Sequence, residues 1–359
     1  MSSNMRTHLP PLQYYRFNKL CHEAVDEYVQ QHGNAIPTQP TADTVMAVLK
    51  RHFPSSRWVD KQEVVQMVSE ATRIRDYLAW WTSGRIIFVF TPELVEAFGR
   101  TDVEDIPTSI LRPPFSAFYL KFGHRTELRT VPNSDRFLDG AYIYEWRDGL
   151  TVTYTQCSSD YQIGSTGLSF YLDLSKTDTV GAALTSGILV ADDVDRETTE
   201  DAKRFGTAYN FRRDTEHERQ ALRDYGIPIF REVTKLVVNC LAFILFQRDF
   251  IKEDWMGAPE AMVEKLKRSP TPKEQLRNTS KLLAQGFTKI HLCDARIDSV
   301  RENQTGREVR SHWRRGHWRR QPCGPGLSQL HLAWIRPTVV RADKRHGGDG
   351  HIYEGGDTP

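Results

Sequence analysis

Residues 312–337, HWRRGHWRRQPCGPGLSQLHLAWIRP, gather the side chains of this chain best suited to chemistry. His312, His317, Cys323 and His331 are four nitrogen or sulfur donors of the kind zinc takes. Their spacing, H-x4-H-x5-C-x7-H, lacks the close donor pairs that preorganise a structural zinc site. Around them the HWRR at His312 recurs at His317, which sets Arg314, Arg315, Arg319 and Arg320 beside Trp313 and Trp318. Guanidinium groups stay charged and match phosphate geometry, and indole faces accept any base, so an RNA or partner contact is one reading. The other is a packed hairpin in which Trp313, Trp318 and Trp334 are core and the arginines face water. Gly316, the Gly324-Pro325-Gly326 turn and the Trp334-x-x-Pro337 strand point to a folded β element. Composition alone leaves both readings open.

Other catalytic patterns find no anchor. The chain has no G-x-S-x-G, and Gly164-Ser165-Thr166-Gly167 lacks the form of a nucleophile elbow, so Ser165 reads as a turn residue. It has no P-loop, GxGxxG or HExxH. Asp192, Asp193 and Asp195 could hold a metal for phosphodiester cleavage, but a solvated loop or helix start explains them more simply. His22, His124 and His217 have no carboxylate partner at a diagnostic spacing and read as surface residues.

The elements that must position the tail come from the rest of a 359-residue chain that is 39% hydrophobic, enough for one large core or two smaller ones. From residue 301 onward eleven Lys and Arg face six Asp and Glu, a balance of +5, which leaves the first 300 residues at −3 within a total of +2. A basic tail on a mildly acidic body suits phosphates or an acidic peptide. Cys21, Cys157, Cys240, Cys293 and Cys323 form no CxxC pair, which argues against a disulfide framework and for a reducing cytoplasm. The first residues lack the apolar core of a signal peptide. The longest apolar run, residues 236–246, includes Asn239 and is far short of the ~20 residues a bilayer span needs, so it reads as a buried helix.

Helical spacing appears over 12–31, again from a cap at Thr41 or Asp43 to about Phe53, and again from Asp60 through Leu78. Gly84 then breaks the helix. Residues 85–90 read as a strand, and Thr91-Pro92-Glu93 starts a short helix through Phe98. Strands are expected at 117–122, 141–146, 150–156 and 167–172, with Arg147-Asp148-Gly149 a tight turn, which favours an antiparallel meander. Residues 197–223 suit a solvated helix and 228–250 the central core helix. Ser269-Pro270-Thr271-Pro272 marks a linker, followed by a helical stretch over 273–284 and a strand over 287–292.

The tail motif together with TPELVEAFGRTDVEDIPTSILRPPFSAFYLKF from Thr91 resembles the second-named family of type V-A anti-CRISPR proteins, found on phages and plasmids. In that family an aromatic-bearing helix leads to a strand and short helix, an acidic loop with Pro-Thr-Ser-Ile, and a proline-led aromatic strand. Here these correspond to Trp80-Trp81, residues 85–98, Glu104-Asp105, Pro107-Thr108-Ser109-Ile110, and residues 114–122. The family's His-x-Arg-Arg-Gly-His-Trp element, glycine-rich turn and Trp-x-x-Pro strand map onto His312, Arg314, Arg315, Gly316, His317, Trp318, Gly324, Gly326, Trp334 and Pro337. The middle of the chain and its Gly/Asp-rich end match only in general character. The resemblance implies a protein that recognises the nascent N-terminal peptide of the type V-A CRISPR effector and triggers loss of its messenger RNA. That is recruitment, not catalysis.

The expected fold is therefore α+β: a mainly helical N-terminal region (1–83), an α+β core (84–268) whose central antiparallel sheet packs on the long apolar helix, a linker and Arg/Trp-rich basic β element (269–345), and a disordered tail (346–359). The peptide would lie in an aromatic groove or on an open sheet edge, with Trp80, Trp81, Pro107, Thr108, Ser109, Phe118 and Tyr119 as candidate contacts. His312, Arg314, Arg315, Gly316, His317, Trp318, Arg319, Arg320, Trp334 and Pro337 would meet RNA of the ribosome or message, or another partner. No cofactor, metal or membrane is expected, and the location is the host cytoplasm. A metal-dependent ribonuclease acting on the message is the alternative, and a phage or plasmid nucleic-acid-binding regulator the third reading, lowered by the lack of a helix-turn-helix pattern.

Overall fold

The computed structural model describes residues 11, 18–32, 42–53, 61–122, 128, 135–146, 148–157, 163–185, 220, 222–294, 312–314 and 316–340. Three N-terminal helices, α1 (Lys19–His32), α2 (Ala42–His52) and α3 (Lys61–Thr82), are followed by β1 (Ile87–Phe90), α4 (Pro92–Gly99) and the short β2 (Thr101–Asp102). Next come β3 (Ala117–Lys121), β4 (Phe137–Trp146), β5 (Gly149–Cys157) and β6 (Ile163–Asp173), then α5 (Ile227–Phe246) and β7 (Ile251–Met256). The helices α6 (Glu260–Lys267) and α7 (Pro272–Ala284) precede β8 (Thr288–Cys293) and four strands, β9 (His312–Arg314), β10 (Gly316–Cys323), β11 (Gln329–Ile335) and β12 (Thr338–Val340).

The expected meander is present: β3, β4, β5 and β6 pair antiparallel in sequence order. The sheet as a whole is mixed rather than antiparallel. Its order is β6-β5-β4-β3-β1-β8-β7, and β1 runs parallel to both β3 and β8. All four residues of β1 are buried, as befits a strand paired on both edges and covered on both faces. β8, expected on the way to the tail, lies inside this sheet between β1 and β7.

Alternation along the strands makes two cores. Phe88, Phe90, Phe118 and Leu120 point to one face and share a cluster with Phe98 of α4 and Leu236, Val237 and Phe243 of α5. Ile87, Val89, Tyr119 and Ile290 point to the other, where Tyr28, Leu49, Tyr77 and Trp80 of α1 to α3 cover them. The fold is thus a three-layer α+β arrangement with the helical N-terminal region as one layer. Each large apolar side chain so buried contributes roughly 1.5–3 kcal/mol.

The apolar helix ends at Phe246, not Phe250, because Gln247 leaves helical geometry and Arg248–Phe250 form one 3-10 turn into β7. The sequence reading carried the helical period through these residues and missed β7. The expected solvated helix over 197–223 lies mostly outside the described residues, as do Asp192, Asp193, Asp195, His124, His217 and the tail from residue 341.

Candidate functional site

The C-terminal β element is built into the core. β10 and β11 form an antiparallel hairpin in which Trp318 faces Trp334, and the start of β10 runs parallel to β2, with Gly316 opposite Thr101. Trp318 and Trp334 are buried and their rings stack at 6.0 Å, with Trp334 also against Phe98 and Phe243 at 5.2 and 6.0 Å. Each indole N–H finds a buried partner: Trp318 donates to Asn239 Oδ1 over 2.8 Å and Trp334 to Thr101 Oγ1 over 3.3 Å. Asn239 Nδ2 in turn donates to the carbonyls of Phe98 and Thr101 at 3.2 and 3.3 Å. The polar residue interrupting the apolar run is the clamp between helix, loop and hairpin. Its polar atoms are satisfied, as burial at 0% exposure demands.

Of the tail residues named from sequence, Gly316, Trp318, Trp334 and Pro337 are buried, while His317, Arg319 and Arg320 are exposed. Arg320 donates to the carbonyl of Asp105 over 3.1 Å, tying the hairpin to the acidic loop of the resemblance. The backbone of His312 and Arg314 lies in β9, which pairs with β12; their side chains, that of Trp313, and the whole of Arg315 lie outside the described residues. Among the described residues no three His, Cys, Asp or Glu side chains group as metal ligands.

The body residues are spread over several places. Thr108 is buried and its hydroxyl donates to the carbonyl of Thr177, while Pro107 bridges Thr179, so this loop is pinned against residues 177–181. Ser109 is exposed. Phe118 is fully buried against Phe88, ring centroids 5.7 Å apart. Tyr119 is fully buried on the opposite face, its hydroxyl 2.7 Å from Thr155 Oγ1.

Trp80 and Trp81 do stand at a cavity. It measures about 260 Å³ and is lined by Val25, Tyr77, Trp80, Trp81, Arg85, Leu283, Ala284, Gly286 and Thr288. Trp80 is held by its N–H bond to the carbonyl of Ile86 at 2.9 Å. Arg85 lies over Trp81 at 6.0 Å and donates to the carbonyl of Leu283 over 2.6 Å. Its φ of +59° makes it the only non-glycine described residue in the left-handed region, a strained state that tends to mark functional positions. The cavity shares an end of the sheet with β7, since Thr288 in its wall pairs with Met256. β7 is an edge strand with one strand neighbour among the described residues.

Sequence reasoning missed a polar layer between α3 and the meander. Lys121 and Asp139 form a buried ion pair beside Tyr119. Asp76, buried on α3, is bound by Arg75 at 3.0 Å; burial pushes its carboxyl above the usual range, and Arg75 opposes that. Burial, then Asp139, also pushes the Cys157 thiol up to about 12. A lone lysine in the otherwise apolar strand AFYLK was the available signal for Lys121. Nothing local in the sequence pairs it with Asp139.

The result is a mixed-sheet α+β body that turns its aromatic motif inward and leaves an aromatic cavity beside a sheet edge. The chain belongs to the AcrVA2-like family, anti-CRISPR type V subtype A2, whose model matches residues 88–342. A crystal structure of AcrVA2 is similar at 14% identity, covering 92% of this chain and 97% of that one, with a TM-score of 0.48. No curated protein sequence matches the chain.

Proposed function

We propose that this protein, encoded on a mobile element such as a phage or plasmid, acts in the host cytoplasm on translating ribosomes. It recognises the nascent N-terminal peptide of the type V-A CRISPR effector and triggers loss of that effector's messenger RNA. Its anti-CRISPR family supports the system it acts on. The observation that carries the peptide reading is the cavity of about 260 Å³ at Trp80, Trp81 and Arg85, next to the end of edge strand β7. An extended peptide gains main-chain hydrogen bonds from a sheet edge and specificity from a pocket that takes one side chain. This cavity has the volume for one apolar or aromatic side chain rather than a cofactor.

The test is capture of stalled nascent chains carrying the effector's N-terminus by purified protein. Trp81→Ala should weaken capture about tenfold while leaving the fold intact, because Trp81 is only partly buried. Undiminished capture by this variant and by Arg85→Ala together sinks the assignment of the cavity. Purified protein should also leave naked message intact with Mg²⁺, which separates recruitment from the ribonuclease reading.

A further inference from the structure

We infer that α7 carries a surface for the sugar–phosphate backbone of a nucleic acid, which in the co-translational setting proposed above is RNA. Only the choice of RNA rests on that setting; the surface is argued from the helix itself. Lys273, Arg277 and Lys281 stand at i, i+4 and i+8 of α7 and all are exposed. A rise of ~1.5 Å per residue places successive cations about 6 Å apart along one side of the helix.

None of the three is in an ion pair among the described residues, whereas several neighbouring cations are paired. Lys267 and Arg268 share Glu264 at 3.3 and 3.5 Å, and Lys289 holds Glu253 at 2.7 Å. The single acid of α7, Glu274, lies in the groove between α6 and α7. That groove, about 550 Å³, borders the row: Arg277 lines it together with Lys265 and Arg268, three cations to the two acids Glu264 and Glu274.

A row of exposed cations outside any ion pair among the described residues suits a repeating polyanion, whose binding needs little else. A protein partner would call for a buried apolar anchor. Leu276, 68% exposed, is the only large apolar residue α7 presents outward. The helix is a firm support, since Thr271 caps it through Glu274 N–H at 3.3 Å, Pro272 opens its first turn, and Asn278 and Leu282 seat its inner face. Its C-terminal end, Leu283 and Ala284, forms part of the aromatic cavity wall, so the two surfaces share one helix. The hairpin is the weaker candidate, because its tryptophans face inward and Arg320 is spent on Asp105.

The experiment uses the full chain and single-stranded RNA and DNA oligonucleotides of about 20 nucleotides, with binding read by fluorescence anisotropy across a salt series. The chain should bind with an affinity that falls as salt rises. Lys273→Gln, Arg277→Gln and Lys281→Gln together should weaken binding at least tenfold and shrink the log–log salt slope by about 2, three contacts at ~0.7 each. Thermal melting should be unchanged, and so should binding of the effector's free, RNA-less N-terminal peptide, which separates this inference from the peptide reading. Equal binding of RNA and DNA supports a backbone reader. An unchanged slope in the triple variant, no binding by the parent chain, loss of binding in Arg319→Gln alone, or equal competition by polyglutamate overturns the inference, the last in favour of an acidic protein partner.

Discussion

Trp318 donates its indole N–H to Asn239 over 2.8 Å, joining the C-terminal hairpin to the central helix across 79 residues of sequence. Both residues are buried, so neither can turn to water if the other is removed. Asn239→Ala should cost about 2–3 kcal/mol by stranding two carbonyls and an indole N–H, and Trp318→Phe about 1–3 kcal/mol. The double variant should be less destabilised than the sum, by 0.5 kcal/mol or more in a denaturation cycle. Strict additivity would mean the bond contributes nothing to the clamp.

The ion pair of Lys121 and Asp139 should behave asymmetrically. Lys121→Met leaves a carboxylate in a layer only a few per cent exposed and should cost about 3–5 kcal/mol. Replacing both partners, Lys121→Met with Asp139→Leu, should recover most of that loss, as urea midpoints would reveal.

His291 is a pH-sensitive group of the sheet. It is buried, stacked on Phe88 at 4.6 Å, and burial, then Lys289, lowers its pKa to about 4 from an ordinary 6.5. The folded value lies below the unfolded one, so between those limits the unfolded chain binds more protons. Stability therefore falls as pH drops from about 6.5 to about 4, by on the order of 3 kcal/mol, and this contribution flattens below. His291→Leu should remove that slope from the stability-versus-pH curve.

Arg85 combines left-handed backbone with two side-chain contacts. Both Arg85→Ala and Arg85→Gly lose the contacts, but only glycine relaxes the backbone. Arg85→Gly should therefore be more stable than Arg85→Ala by about 1 kcal/mol, a difference calorimetry resolves.

Gly316 sits where β10 meets β2. A Cβ there would lie 2.6 Å from Thr101 Oγ1 and 2.8 Å from Pro337 Cδ. Gly316→Ala should destabilise the protein by about 1–3 kcal/mol and shift the fluorescence of Trp318 and Trp334.

Local pattern was enough to read α4 from Thr91-Pro92, the meander around Asp148-Gly149, and α5 from its apolar run. Long-range pairing was not. That β1 takes β8 as a parallel neighbour depends on contacts two hundred residues apart, and no spacing within either strand encodes the partner. The tail was ambiguous for a related reason. Arg/Trp alternation fits equally a stacking platform and a strand with one face buried, and only the presence of Asn239 and Thr101 opposite decides which way the indoles point. The cavity depends on Arg85, whose backbone state nothing in its residue type announces.

The placement of β8 has a consequence for synthesis. β1 is made early but keeps one long edge bare until residues 288–293 leave the ribosome, and the aromatic cluster around Phe98 stays open until Trp318 and Trp334 follow. Such delayed, non-local closure slows folding and leaves an adhesive strand edge exposed meanwhile. The protein thus depends on an uninterrupted passage through translation, because nearly all of it must be made before its centre can close.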